Sequence, residues 1–586
     1  MSDDAVSREI QAVQPPVTLP TGGQPLWQWV LRVSGLLSII ACVAFFVRYF
    51  DHETPQLYVD GLFLVAIILW VTIVASFERG PLLGITVSRA DLWPLVLILV
   101  TFAAAWLPFY DNWRWAYTGD SFGVFSVGYW YGRNGIRQSL LSVHGIDNAF
   151  TYLWELSYSF PMRLFAPTLF WHRIGQLLWA GLALTTIYAY FTLVLRRHWA
   201  AAIIAATALN YVWLWFSYVS YLKMDSFVFY FLTLIFATFI WRQPDRLIPW
   251  MLAGLTAGLS LFYTPTAWSA VILVGLGLAV FSVVTRRFSH ALVYGVSFLL
   301  VATPIIIEIP WFMRMTSQQT SPTLQWDYLV RIFRQIALMP YHFEYDKLGV
   351  QGAFLRWPLG PLYLAGCAIA AVGFIPQVRR WLRIPGVASA LLMLLIWDAV
   401  LLTLTNKDYG QPSTKRAYNL IPLQIFFALL PFIVIEAWIG ARRRLRQVLA
   451  VVVVASIVVY GLRNIALIMF PKPMVYGGNV FDGMVEIRQR FPGRPVLLLT
   501  QREVLRTSFA PGELLHLAYG VADTVTIESA FTPESIQRGC DRAMIICYEP
   551  NYDRQRMESL VRDSGISLRR FPLMNSFEAV CFECKK

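Results

Sequence analysis

Along most of its length the chain alternates long apolar runs with short clusters of charge, and this leaves it few ways to fold. A helix crosses a bilayer core of about 30 Å with roughly 17 to 25 apolar residues. Thirteen such runs begin near residues 27, 57, 92, 173, 199, 226, 248, 266, 289, 359, 385, 417 and 446. Only helices or closed barrels satisfy every backbone polar group in lipid, and the runs are too long for barrel strands. The expected fold is mainly α, a polytopic membrane bundle of about 13 spans.

The charges fix the direction of threading. Basic residues accumulate in cytoplasmic loops, and here alternate loops carry them: Arg79 and Arg89; Arg196 and Arg197; Arg242 and Arg246; Arg286 and Arg287; Arg379, Arg380 and Arg383; Arg442, Arg443, Arg444 and Arg446. The intervening short loops are nearly bare, apart from Lys223 and the 406–416 segment. An odd number of spans follows, with the N-terminus in the cytoplasm and the C-terminus outside. The net charge of +13 is spread over these clusters rather than gathered on one domain, so no nucleic-acid partner is expected. Residues 1–26 are polar and proline-containing, a cytoplasmic segment with no cleavable signal peptide.

Two long loops, 110–172 and 312–358, fall on the outer face of the 27–470 membrane domain. The first holds Trp113, Trp115, Tyr129, Trp130 and Tyr131, and the second the amphipathic stretch WDYLVRIFRQI at 326–336. Both patterns suit segments lying at the lipid headgroups. From 471 to 586 the pattern changes to short β-branched runs between amphipathic stretches, which predicts a soluble extracytoplasmic α/β domain. Strands are expected at 494–500, 523–529, 542–549 and 576–584, and helices near 502–519, 533–539 and 553–563. No G-x-G-x-x-G follows the first strand, so no dinucleotide is expected. Cys540, Cys547, Cys581 and Cys584 suit disulfides or buried thiols better than zinc, because no histidine lies near them in sequence.

Ionisable groups at span ends are costly and therefore candidates for function. Asp120, in WRWAYTGDSFGVFS, suits a general base toward a hydroxyl and equally suits a helix N-cap. Lys407, Lys415 and Arg416 crowd the segment NKDYGQPSTKRAYNLIPL, on a loop where the charge pattern predicts few cations; a phosphate or pyrophosphate of a lipid carrier, or ordinary anionic headgroups, would account for them. Lys223 and Asp225 open the span in YLKMDSFVFYF, positioned to pair with each other or to meet substrate. Glu344 and Asp346 in YHFEYDK, together with Glu155, are secondary acidic candidates. Asp398 and Arg463 lie inside apolar runs with no evident role.

With these residues in place, the chain resembles the C-type, polyprenyl-phosphate-sugar-dependent glycosyltransferases, which include protein O-mannosyltransferases, aminoarabinose transferases and rhizobial core transferases. Four features spread over about 92–421 carry the likeness: the acid of TGDSF, Asp120; the Lys223, Met224, Asp225 opening of a span; GLTAGLSLFYTPTAW at 254–268, similar to a glycine-containing helix and turn; and KRAYNLIPL at 415–423, similar to an Arg-Tyr-Leu-x-Pro segment. The chain departs from many relatives in having Gly119 before Asp120 instead of a second acid, and Thr264, Pro265 and Thr266 in place of a lysine after the glycine helix.

The resemblance implies a cavity at the outer face of a bacterial inner or plasma membrane. Asp120 would be the base there, and Lys407, Lys415 or Arg416 would lie near the donor phosphate, with Lys223 and Asp225 beside them. A polyprenyl-phosphate sugar would be the donor, and a glycan, lipid or protein the acceptor; a divalent metal is compatible with the acidic set. A polysaccharide polymerase or ligase shares the donor. A transporter or flippase shares the spans, but no internal repeat is evident.

Overall fold

The computed structural model describes residues 24–49, 56–78, 88–106, 140–141, 143–144, 150–165, 169–218, 224–263, 267–317, 355–404, 418–469, 487, 490–499, 525–528, 532–542, 544–548, 559, 562, 567–571 and 580–584. The membrane part contains α1 (Gln24–Tyr49), α2 (Gln56–Ser76), α3 (Arg89–Trp106), α4 (Tyr152–Leu164), α5 (Leu169–Val194), α6 (Arg197–Ala208), α7 (Tyr211–Tyr218) and α8 (Met224–Arg242). It continues with α9 (Leu247–Ser260), α10 (Trp268–Thr285), α11 (Phe288–Ser317), α12 (Leu359–Val372), α13 (Pro376–Leu382), α14 (Val387–Leu404), α15 (Ile421–Ile439) and α16 (Arg443–Met469). A short ribbon of β1 (Val143–His144) and β2 (Phe150–Thr151) precedes α4.

A helix begins within about four residues of each of the thirteen expected starts, yet the count of thirteen spans is not established. Six described helices are long and apolar enough to cross a membrane alone, and α13 with α14, bent by 118°, would make a seventh. Others are shorter. The run from 199 is broken into α6 and α7, because Asn210 caps the second piece: its Oδ1 accepts from the backbone N–H of Val212 (2.9 Å) and Trp213 (3.2 Å). Large apolar side chains of α1, α2, α10 and α16 are exposed, including Leu36, Leu64, Val280 and Val454, as a lipid-facing surface requires.

Five of the basic loops, with Glu78 at the edge of the sixth, meet at one end of this bundle. Glu78 accepts from Arg246 (3.1 Å) and from the backbone N–H groups of Leu247 and Ile248, satisfying the orphan donors at the start of α9. Arg242 donates to the Leu193 carbonyl, and Arg287 pairs with Asp245. Glu436 gathers Arg196 (3.5 Å), His198 (3.1 Å) and the Trp199 indole N–H (2.7 Å), while Arg383 donates to the Ala437 carbonyl (2.6 Å). The turn carrying Arg442 to Arg446 follows directly. Two helices stop here on left-handed arginines, Arg286 (φ 57°) and Arg383 (φ 54°), which set a cation beside the helix's terminal carbonyls. The positions of these loops match the alternation read from the sequence.

Glycines let the helices approach closely. A Cβ on Gly258 would lie 2.8 Å from the Phe298 carbonyl oxygen and 2.8 Å from the Val301 Cβ, and one on Gly254 would collide with the Tyr294 carbonyl, so α9 and α11 touch along their backbones. Gly366 of α12 meets the Phe427 carbonyl of α15 in the same way.

The C-terminal part forms a five-stranded sheet in the order β4-β3-β5-β7-β6. Its strands are β3 (Val496–Leu499), β4 (Val525–Glu528), β5 (Ile545–Tyr548), β6 (Leu568–Phe571) and β7 (Val580–Cys584), with α17 (Pro533–Asp541) packed on it. β3 runs parallel to β4 and β5, whereas β7 is antiparallel to β5 and β6. Four of these were expected. β6, reading LRRF, was not, because its paired arginines hide the alternation. The cysteines form disulfides Cys540–Cys584 and Cys547–Cys581, the second joining partner positions on β5 and β7. The expected helix at 502–519 and the loop helix at 326–336 lie outside the described residues.

Gly258→Leu is expected to destabilise the bundle by about 1–3 kcal/mol through overpacking against α11. A lowered thermal unfolding midpoint in detergent would register this; an unchanged midpoint would contradict the close contact.

Candidate functional site

Opposite the basic face, about 28 Å away along the 19 residues of α8, a set of buried polar side chains joins four elements. Asp225 sits in the first turn of α8, where a carboxylate is favoured by the helix dipole. It is fully buried. The Tyr158 hydroxyl on α4 donates to its Oδ1 (2.7 Å) and accepts from its backbone N–H (3.0 Å), closing a small ring of hydrogen bonds.

Local structure holds Tyr158 in place. Thr151 caps α4 by accepting from the Trp154 backbone N–H (3.2 Å), and its own hydroxyl donates to the Phe262 carbonyl (2.7 Å) at the end of α9. Gly175 of α5 lies against the Tyr158 carbonyl, where any Cβ would collide, so α4 rests directly on α5. The Tyr158 ring stacks on Trp179 (centroids 5.6 Å apart), which meets Tyr263 (5.5 Å) and Phe229 (6.3 Å). The charge of Asp225, after burial itself, pushes the Tyr263 hydroxyl further from ionising. On the other side of Asp225, the Ser226 hydroxyl donates to Oδ1 of Asn419 (2.7 Å).

Three of the four sequence features therefore converge. In their described parts, α4 links the span opening to the end of the glycine helix by Tyr158–Asp225 and Thr151–Phe262, and Ser226–Asn419 links the same span opening to the third segment. Asp120, Lys223, Glu344, Asp346, Lys407, Lys415 and Arg416 lie outside the described residues.

Glu155 stands one turn before Tyr158 on the same side of α4. It is 6% exposed, its Oε2 has no hydrogen-bond partner among the described residues, and burial pushes its carboxyl up to about 8. Burial therefore favours its neutral, proton-bearing form over the carboxylate. Sequence reasoning missed His172, Arg173 and Gln176, which are buried in the first two turns of α5. The polar letters of WHRIGQ inside an apolar run were the available signal. Asp398, unexplained from sequence, is buried and accepts from the Tyr230 hydroxyl (2.5 Å) within the bundle. Among the described residues no group of three or more His, Cys, Asp or Glu side chains could hold a metal ion.

Comparison with known protein families and with curated proteins returns no match. Among solved structures, the chain is similar to ArnT from Cupriavidus metallidurans bound to undecaprenyl phosphate, at 14% identity over 84% of this chain and 98% of that one, with a TM-score of 0.43. It is also similar to the archaeal oligosaccharyltransferase AglB from Archaeoglobus fulgidus in complex with an inhibitory peptide and a dolichol-phosphate, at 11% identity over 85% of this chain and 75% of that one, with a TM-score of 0.44.

A glutamate raised in the folded state holds its proton there while the unfolded chain releases it, so its contribution to stability is lost as pH climbs from about 4.5 to about 8. The wild-type unfolding midpoint should fall over that range more steeply than that of Glu155→Gln, by on the order of a few kcal/mol. Parallel profiles would contradict a buried, raised carboxyl.

Proposed function

We propose that the chain is a membrane glycosyltransferase that moves a sugar from a polyprenyl-phosphate donor to a lipid, glycan or protein acceptor at the extracytoplasmic face. The convergence of three separate motif segments on one end of the bundle, around the Tyr158–Asp225 pair, supports this reading most directly. That end lies opposite the basic loops, which the positive-inside pattern assigns to the cytoplasm. The two disulfides of the C-terminal sheet suit an oxidising compartment on the same outer side.

In the proposed reaction Asp120 takes the proton of the acceptor hydroxyl as its oxygen attacks the anomeric carbon. The bond from that carbon to the phosphate oxygen breaks, and polyprenyl phosphate leaves with the electron pair. Lys407, Lys415 and Arg416 neutralise the charge that develops on the phosphate, with Lys223 beside them. Asp225, fixed by Tyr158, anchors the start of α8, and through Ser226 it steadies Asn419 in the segment that bears the cations. Glu155, whose neutral form burial favours, is available to donate a hydrogen bond at this end of the bundle. Asp398 has a partner in Tyr230, so it lends no weight to a transport pathway.

Purified wild type reconstituted with polyprenyl-phosphate sugars and a membrane extract should release polyprenyl phosphate. Asp120→Asn should lower the rate by about 10²–10⁴ while still binding donor, and Arg416→Gln should weaken donor binding. Full activity in Asp120→Asn would remove the base assignment. No donor consumption by folded wild type would overturn the enzyme reading.

A further inference from the structure

A strongly cationic surface lies where α13 meets the turn between α15 and α16. Arg380 on α13 and Arg442, Arg443, Arg444 and Arg446 at the turn are exposed, and Arg379 is partly so. α13 is bent by 118° from α14, so it lies across the end of the bundle instead of continuing a span. Three contacts lock it against the end of α15. The Trp438 indole N–H donates to the Leu382 carbonyl (3.2 Å), Arg383 donates to the Ala437 carbonyl (2.6 Å), and the Trp381 and Trp438 rings meet edge to face with centroids 5.7 Å apart. Gly440, at φ 61°, then turns the chain toward Arg442. Two arginine groups distant in sequence are thereby held side by side.

This surface is not cationic alone. Trp381 is 69% and Trp438 54% exposed, and Phe374 and Ile375, just before α13, are exposed as well. Indole rings favour the membrane interface. From the arginine turn α16 continues with exposed Leu445, Val448, Val451 and Val452, so the cations and an apolar, lipid-facing strip are continuous on one helix. Glu436, the acidic residue closest to the turn in sequence, already accepts from Arg196, His198 and Trp199. None of the six arginines pairs with a carboxylate among the described residues. Like charges gathered on one surface repel, and an anion placed among them relieves that repulsion.

We propose that Arg379, Arg380 and the Arg442–Arg446 turn, with Trp381 and Trp438 beside them, form a docking surface for an anionic phospholipid. The guanidinium forks would donate to the phosphodiester oxygens. The indoles would lie at the level of the glycerol, and the acyl chains would follow the apolar strip of α16. A soluble acidic partner would match the cations but leave the exposed indoles and that strip uncovered, whereas a lipid accounts for both halves of the surface. The site lies at the opposite end of the bundle from the Tyr158–Asp225 group and does not depend on the proposed reaction.

The full-length protein in detergent would be titrated with dioleoylphosphatidylglycerol and dioleoylphosphatidylcholine, with bound adducts followed by native mass spectrometry. Phosphatidylglycerol should bind wild type about tenfold more tightly than Arg380→Gln/Arg443→Gln/Arg444→Gln, a loss of about 1.4 kcal/mol, and phosphatidylcholine should not distinguish the two. Arg463→Gln, an exposed change about 30 Å further along α16, should bind phosphatidylglycerol as wild type does. If the triple variant misfolds, wild type decides alone: raising the salt concentration should weaken phosphatidylglycerol and leave phosphatidylcholine unchanged. An equimolar glutamate-rich peptide or inorganic phosphate should not displace the lipid; displacement by either would assign the surface to that anion and overturn the proposal. Equal phosphatidylglycerol affinity in wild type and the triple variant would overturn it too, as would an equal loss in Arg463→Gln or binding to wild type that salt does not weaken.

Discussion

The closed pair of hydrogen bonds between the Tyr158 hydroxyl and Asp225 is the contact around which one end of the bundle is organised. A carboxylate in the first turn of an otherwise apolar helix needs a partner, because leaving it unpaired inside the protein would cost several kcal/mol. Tyr158 meets that need only because α4 lies flat against α5, which requires glycine at 175, and because Thr151 fixes the start of α4. Capping, helix contact and a buried charge are thus one arrangement. It joins residues 67 apart in sequence, and 111 apart through the Thr151 bond to Phe262, and it gives scattered motifs a common location.

The opposite end follows a different rule. There the charges are numerous and solvent-facing, and acidic residues serve as hubs for basic loops: Glu78 for the start of α9, and Glu436 for Arg196, His198 and Trp199. Exposed pairs of this kind add little stability individually. Their value is positional, since they tie the ends of neighbouring helices to one another. The bundle is therefore polarised, with a cationic rim at one end and a small set of buried polar groups, centred on the Tyr158–Asp225 pair, at the other.

Much of this was legible in the sequence. Apolar run length located the start of every helix expected to span, because lipid enforces hydropathy over nearly the whole segment, and the arginine alternation anticipated which loops share a face. Strand positions in the C-terminal sheet followed from alternation, except β6, where Arg569 and Arg570 obscure it. Helix breaks were not legible: Asn210 interrupts a run that reads as continuous, and the cap becomes visible only with its backbone partners. Partnership was hidden as well. Nothing in the letters joins Tyr158 to Asp225, Ser226 to Asn419 or Tyr230 to Asp398, and the polar residues at 172, 173 and 176 read as the ragged start of a span rather than as buried groups.

The account rests on the polarity of the bundle, and sidedness labelling tests it most directly. In a background with Cys42 and Cys367 replaced by alanine, single cysteines at Ser413, in the segment that leads into Asn419, and at Arg380 and Arg444, on the basic rim, would be exposed in intact cells to a membrane-impermeant maleimide. The account predicts labelling of Ser413→Cys from outside, with Arg380→Cys and Arg444→Cys labelled only after the membrane is opened. Labelling of the basic-rim positions from outside, with Ser413→Cys protected, would place the Tyr158–Asp225 end in the cytoplasm and contradict it.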